Sequence, residues 1–160
     1  MQNGRVYTVS FAGISLAAIQ DLFELTPADD KPIEIIGIEL AQTGVADVGD
    51  AQEEFLRLEI IRGFTTSGSG GSAPTPSPIK RSAAAAGFAA EVNNTTVATT
   101  GTGVVLFETA WNVRAGYLNW FPEGCEPEAS QANTTMVVRM TAAPNDAVTV
   151  SGTLWVREGG

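Results

Sequence analysis

Residues Thr65 to Gly87 read TTSGSGGSAPTPSPIKRSAAAAG. Gly68-Ser69-Gly70-Gly71-Ser72 has the composition of a flexible linker, and Pro74, Pro76 and Pro78 follow at alternate positions. Glycine and serine free the backbone, whereas alternate prolines stiffen it toward polyproline II. Either this stretch joins two domains or it is an excursion within one.

The flanking sequence decides between them. Several segments alternate with period two, as half-buried strands do. Val148, Val150, Leu154 and Val156 share one face, with Thr149, Ser151, Thr153 and Arg157 on the other. Leu56, Leu58 and Ile60 oppose Arg57 and Glu59. Val105, Phe107, Trp111 and Val113 form a third apolar face, Met136, Val138 and Met140 a fourth, and Tyr7, Val9 and Phe11 a fifth. Pro32 to Leu40 is a strand whose phase slips at Ile35-Ile36, which predicts a bulge. Asp21 to Leu25 and Tyr117 to Phe121 are shorter strands, and Thr26-Pro27-Ala28-Asp29-Asp30 is a turn. The alanines of Ser82 to Ala90 predict a turn or two of helix.

The count is about eight strands joined by turn-rich loops, an all-β chain. A linker reading would leave each half too few strands to bury a core alone. A two-sheet antiparallel β-sandwich, jelly-roll-like in its eight-stranded form, uses all the alternating faces at once. The prediction is therefore one domain over 1–160, with 65–87 as a long loop inside it. That loop is read as a stiff arm projecting outward, suited to lying across a neighbouring subunit.

Composition narrows the chemistry. The chain has 160 residues, no histidine and one cysteine, Cys125. That excludes Ser-His-Asp and Cys-His pairs, an intrachain disulfide and a thiolate zinc site. The 18 Asp and Glu outnumber 9 Lys and Arg, and a net charge of −9 argues against nucleic acid and anionic membranes as partners. No run reaches about 18 consecutive apolar residues, and no signal peptide is visible at the start, so assembly in a cytosol is expected. Charged residues are 17%, against about 25% in an average domain, which suits a surface held against neighbours as well as a low-charge β-protein.

The remaining motifs are weak. Gly68 to Gly71 lacks the Gly-Lys-Ser/Thr ending of a phosphate loop. Asp47, Asp50, Glu53 and Glu54 form one acidic loop, and Glu123, Glu126 and Glu128 another around Cys125; neither has EF-hand spacing, and both read as solvated loops. Nothing places two carboxylates across a cleft for glycoside cleavage. No catalytic residue, metal ligand or cofactor is assigned. Of Trp111, Trp120 and Trp155, only Trp155 stands out of phase with its strand's apolar face. It is an outward aromatic for a subunit contact or for stacking on a sugar. The candidate interface residues are Arg62, Ser67, Gly70, Pro74, Pro76, Pro78, Lys80, Arg81 and Trp155, together with Met1 to Arg5. Arg62, Lys80 and Arg81 would meet carboxylates on neighbours.

A set of motifs carries a resemblance: Gln20-Asp21-Leu22-Phe23-Glu24-Leu25, Lys31-Pro32, Gly49-Asp50-Ala51-Gln52-Glu53, Arg62-Gly63-Phe64 and Ser67-Gly68-Ser69-Gly70-Gly71, followed by Asn93-Asn94-Thr95-Thr96, Ala143-Pro144 and Ser151-Gly152-Thr153-Leu154. In that order they resemble a family of small virion proteins of tailed bacteriophages, from about Tyr7 to Glu158. The resemblance implies a jelly-roll-like protein of the capsid or tail, with head decoration as the leading role. Its implied partners are the major capsid protein and sister subunits in a homo-oligomer, a trimer at threefold lattice points. It would sit on the outer capsid surface of a virion assembled in the host bacterial cytoplasm. A receptor- or carbohydrate-binding sandwich of a fibre, or a tail or connector subunit, is the alternative. No catalytic or ligand residues come with the resemblance.

Overall fold

The computed structural model describes residues 4–43, 53–130 and 134–160. Its elements are β1 (Arg5–Leu16), β2 (Gln20–Thr26), β3 (Ile33–Gln42), β4 (Phe55–Thr66), β5 (Ser77–Pro78), β6 (Ala89–Asn94), β7 (Thr99–Asn112), β8 (Tyr117–Trp120), β9 (Glu128–Ala129), β10 (Thr135–Met140) and β11 (Val148–Glu158). Two antiparallel sheets result. The first runs β5-β1-β11-β3-β8, with β9 also on β3, and the second runs β6-β2-β10-β4-β7. With the accessory strands β5, β6 and β9 set aside, the chain passes from one sheet to the other at every connection except β4 to β7. That is the wiring of a jelly roll.

The alternating faces become the core. Val148, Val150, Leu154 and Val156 are buried, as are Leu56, Leu58, Ile60, Met136, Val138, Met140, Tyr7, Val9 and Phe11. They belong to one cluster with Phe23, Leu25, Ile35, Ile38 and Trp111. The slip in β3 is a bulge: Trp155 faces Gly37 but Val156 faces Ile35, so Ile36 is the extra residue. A similar bulge in β7 corrects one expectation. Ile60 pairs with Phe107 and Ile61 with Val105, so Leu106 is extra and the phase inverts before it. Val105 therefore lies outward and half-exposed. Ile61, on the same outer side, is covered by Ala98, Val137 and Phe64 in a second small cluster.

Ser82 to Ala90 holds no helix. Lys80 to Ala83 makes one turn, and the next backbone groups bond elsewhere: the Ala84 carbonyl accepts from the Tyr7 hydroxyl, and the Gly87 and Phe88 amides donate to Glu158. Phe88 then enters the core edge-on to Tyr7, with centroids 5.6 Å apart. Those tertiary bonds outcompete the modest helix preference of alanine.

The projecting arm is also corrected, because Thr65 to Gly87 lies along the chain's own sheet edges. Gly68 N donates to Glu24 at 2.9 Å, and Ser69 bridges to Thr96. Ser72 and Val92 exchange two backbone bonds of 3.0 and 2.8 Å on the rim of β6. Pro76 is buried, Ser77–Pro78 pairs with Thr8 and Tyr7, and Ile79 N reaches Val6 O at 3.0 Å. The stretch is a strap from the edge of the second sheet to the edge of the first. Its glycine serves contact as much as freedom: a Cβ on Gly71 would overlap the Val92 carbonyl oxygen. Prolines fit an edge strand because an edge needs fewer amide donors.

Candidate functional site

The outer face of the first sheet carries a developed surface feature among the described residues. Trp155 of β11, Gly37 of β3 and Trp120 of β8 face one another across three neighbouring strands. Two strand spacings, about 9.6 Å, separate the tryptophan backbones. Glycine between them lets the side chains lean inward and meet, with ring centroids 4.7 Å apart at 43°. A Cβ on Gly37 would stand 2.5 Å from Trp120 Cε3. Trp120 stays 52% exposed, and Leu118 on the same face of β8 is 59% exposed.

Beside this pair runs a groove of about 410 Å³, bounded by Gly4, Arg5, Val6, Ile36, Ile79, Lys80, Ala83, Trp120 and Trp155. The bulge at Ile36 helps make it, since the extra residue adds an apolar side chain to this face. The strap supplies the opposite wall through Ile79, Lys80 and Ala83. Arg5 and Lys80 are its ionisable lining groups; both are exposed, and neither has an ion-pair partner among the described residues. Arg57, Arg139 and Arg157, by contrast, are each ion-paired within the chain.

Of the residues expected at an interface, the groove joins Lys80 and Trp155, and Arg5 from the amino-terminal segment. Arg81 is exposed next to Lys80, and Pro78 is exposed on the β1 edge. The others stand apart. Arg62 donates to the Glu128 carbonyl at 2.9 Å and borders a separate cavity of about 380 Å³. Ser67 donates to Glu24 at 2.6 Å. Gly70, at φ 90°, borders a third depression with Ile14 and Asn93. Pro74 is half-buried and Pro76 buried. Met1 to Asn3, Asp47 and Asp50 lie outside the described residues. Ile36 and Val6 are site residues that the sequence does not signal, and Trp120 is expected there only as part of the exposed aromatic cluster of the sugar-binding alternative. Trp120 reads as ordinary alternation until Gly37 is known to face it, and that pairing is long-range.

Among the described residues, carboxylates contribute nothing to the groove. The four carboxylate residues that are buried among the described residues hold the chain to itself. Asp21 bonds Arg139 and Ala98 N, and Glu24 bonds Ser67, Gly68 N and Asn94. Glu34 meets Arg157 at 3.1 Å, and Glu158 takes the Gly87 and Phe88 amides. In the acidic loop around Cys125, Glu126 pairs with Arg157 at 3.1 Å and accepts from Gly124 N. General acid–base chemistry needs a titrating group within reach of a bound molecule. Among the described residues, the groove lining offers a guanidinium and an ammonium and no carboxylate.

No protein-family model matches the chain, and no curated protein matches it. Among solved structures, a mutant VP2 protein of infectious bursal disease virus in derived T=1 particles aligns at 15% identity, with a TM-score of 0.17. Another T=1 particle structure of that virus aligns at 14% identity, with a TM-score of 0.18. Both alignments cover 98% of this chain and 40% of the viral chain, so the protein spans two fifths of the length of those neighbours. A likeness of that size carries no argument about fold or role.

Proposed function

We propose that the chain is a non-enzymatic structural protein of a bacteriophage virion, a decoration or cement subunit that binds the outer surface of the head and stabilises it. Its partners are the major capsid protein and sister copies, a trimer being the favoured assembly, and it joins a virion assembled in the host bacterial cytoplasm. The observation that carries this reading is the division of labour among side chains. Buried carboxylates lock the sandwich, while Leu118 and Trp120 stand exposed on the outer face of the first sheet, beside a groove whose Arg5 and Lys80 have no ion-pair partner among the described residues. Exposed apolar surface rimmed by charge suits docking to another protein. The jelly-roll wiring agrees with it, as does the resemblance of the sequence motifs to small phage virion proteins.

Mixing the purified protein with heads stripped of accessory proteins, then counting the copies that co-sediment, tests the reading. Saturable binding is expected, with heads surviving heat or dilution better when coated. Absence of co-sedimentation, together with a monomer by light scattering, overturns it. A fibre-borne carbohydrate-binding role is favoured by one observation, the Trp120–Trp155 pair. Saturable binding on a glycan array would support that role.

A further inference from the structure

We infer that the groove between the Trp120–Trp155 pair and the strap takes an extended acidic peptide of the partner protein, seating one apolar side chain on the tryptophans and its carboxylates against Arg5 and Lys80. The inference rests on the docking role proposed above and names the chemistry of what is docked. Three observations carry it.

The floor and walls are Val6, Ile36, Ile79, Ala83, Trp120 and Trp155, and the volume of about 410 Å³ lies within the usual range for a small-ligand pocket. One aromatic, leucine or proline side chain with its flanking backbone is a suitable filling. Partly exposed tryptophans in a concave apolar setting have the character of interface hot spots. The charge is placed as well. The chain carries −9, yet both ionisable groups of the groove lining are cations without an ion-pair partner among the described residues. A carboxylate arriving there gains two charge-assisted contacts and separates no existing pair.

The third observation discriminates between ligand classes. A sugar ring stacked on tryptophan still needs acceptors and donors for its hydroxyls, usually carboxylates or amides. Among the described residues, no Asp, Glu, Asn or Gln lines the groove. A neutral saccharide would leave its hydroxyls poorly matched, at a cost for each unsatisfied group. An acidic peptide has its apolar and anionic parts both matched.

The test uses the full chain and a short fluorescein-labelled peptide with a central Pro-Phe pair flanked by glutamates, beside its glutamine counterpart and a galacturonate oligomer. Fluorescence anisotropy should show the glutamate peptide binding about tenfold tighter than the glutamine peptide at low salt. That gap should close as added salt screens the exposed charges. Trp120→Ala should remove binding of both peptides. The Arg5→Gln/Lys80→Gln pair should lower the glutamate peptide to the glutamine level. Unchanged melting of these surface variants shows that the fold persists. Equal binding of the two peptides, binding of neither, or binding of the galacturonate alone overturns the inference. So does concentration-dependent self-association that Trp120→Ala abolishes, because a second copy would then fill the groove. Head co-sedimentation with the same variants separates the two readings. If wild type and variants all bind heads, the groove assignment fails and the decoration role survives; if wild type does not bind heads, the decoration role fails whatever the peptides do.

Discussion

Asp21 and Arg139 form the most enclosed ion pair among the described residues. Arg139 Nε reaches Asp21 Oδ1 at 2.6 Å, the carboxylate side chain is fully buried, and the guanidinium is 13% exposed. A second guanidinium nitrogen reaches Oδ2 at 3.1 Å, the Ala98 amide donates to Oδ2 at 2.7 Å, and Phe64 lies under the guanidinium carbon at 4.7 Å. Burial raises the Asp21 carboxyl above its ordinary 3.8, against the opposing pull of Arg139 and the Ala98 amide, and Glu24 adds a smaller push upward. A raised carboxyl keeps its proton to higher pH in the folded chain than in the unfolded one. Its contribution to stability is therefore full below 3.8 and is lost as pH rises through the folded pKa. Removing the cation deepens that loss. Arg139→Met is expected to cost about 3 kcal/mol at neutral pH, because a buried carboxylate is left without its partner. The cost should shrink as the pH falls below 3.8, where Asp21 is neutral in both states. Adding Asp21→Asn, which keeps an acceptor for the Ala98 amide, should recover most of the neutral-pH loss. Urea denaturation of the wild type and both variants between pH 3 and 7 measures this; a cost for Arg139→Met that does not vary with pH would contradict it.

At the scale of elements, the strap decides how the sandwich is finished. A bulge makes its anchor: Val138 faces Phe23 but Arg139 faces Asp21, so Leu22 is extra, and Asp21 and Glu24 share the outer face of β2. Glu24 takes Ser67 Oγ at 2.6 Å, Gly68 N at 2.9 Å and Asn94 Nδ2 at 3.0 Å. Glu24→Ala orphans the Gly68 amide and the Ser67 hydroxyl, while Asn94 keeps Glu91 at 2.6 Å. The expected cost is about 2 kcal/mol. The change should be local, with faster amide exchange and proteolysis within 67–72 and little change in the central strands. Glu24→Gln should be mild, since its oxygen can serve Gly68 and Asn94 while its amide donates to Ser67. Uniform acceleration of exchange through both sheets would refute a local anchor. This element also marks where sequence reading stopped. Strand phases were legible because period two reports burial directly, and even the Ile36 bulge appeared as a break in phase. The bulge at Leu106 was not, because Val105 and Phe107 alternate equally well in a regular strand. The strap's course was illegible for another reason: Gly, Ser and Pro suit an edge-hugging segment and a projecting one alike, and the partners that choose between them are Glu24, Val92 and Val6, distant in sequence. Trp155 was legible as an outward aromatic, while the groove needed Gly37 and the strap beside it.

For the whole molecule, the pairing pattern makes a sharper statement than the strand count. In every ladder among the described residues, a strand ending at or before Thr66 pairs with one beginning at or after Ser77: β1 with β5 and β11, β2 with β6 and β10, β3 with β8, β9 and β11, and β4 with β7 and β10. Among the described residues neither half has a strand pair of its own, and the principal core cluster draws on both. Sheets whose every contact is long-range form only when both sets of strands are present, and the loop-closure entropy must be met before any ladder rewards it. The groove inherits this arrangement. Val6 and Ile36 come from the first half, while Ile79, Lys80, Trp120 and Trp155 come from the second. Cutting the chain within the strap should therefore give a clear result. Fragments 1–72 and 73–160, expressed separately, are expected to lack β-sheet circular dichroism and any cooperative melt. Mixed, they should regain both signals, and the near-ultraviolet signature of the Trp120–Trp155 contact should return with them. A cooperative melt of either fragment alone would mean that one half closes a core by itself, and the groove would then be a seam between two units.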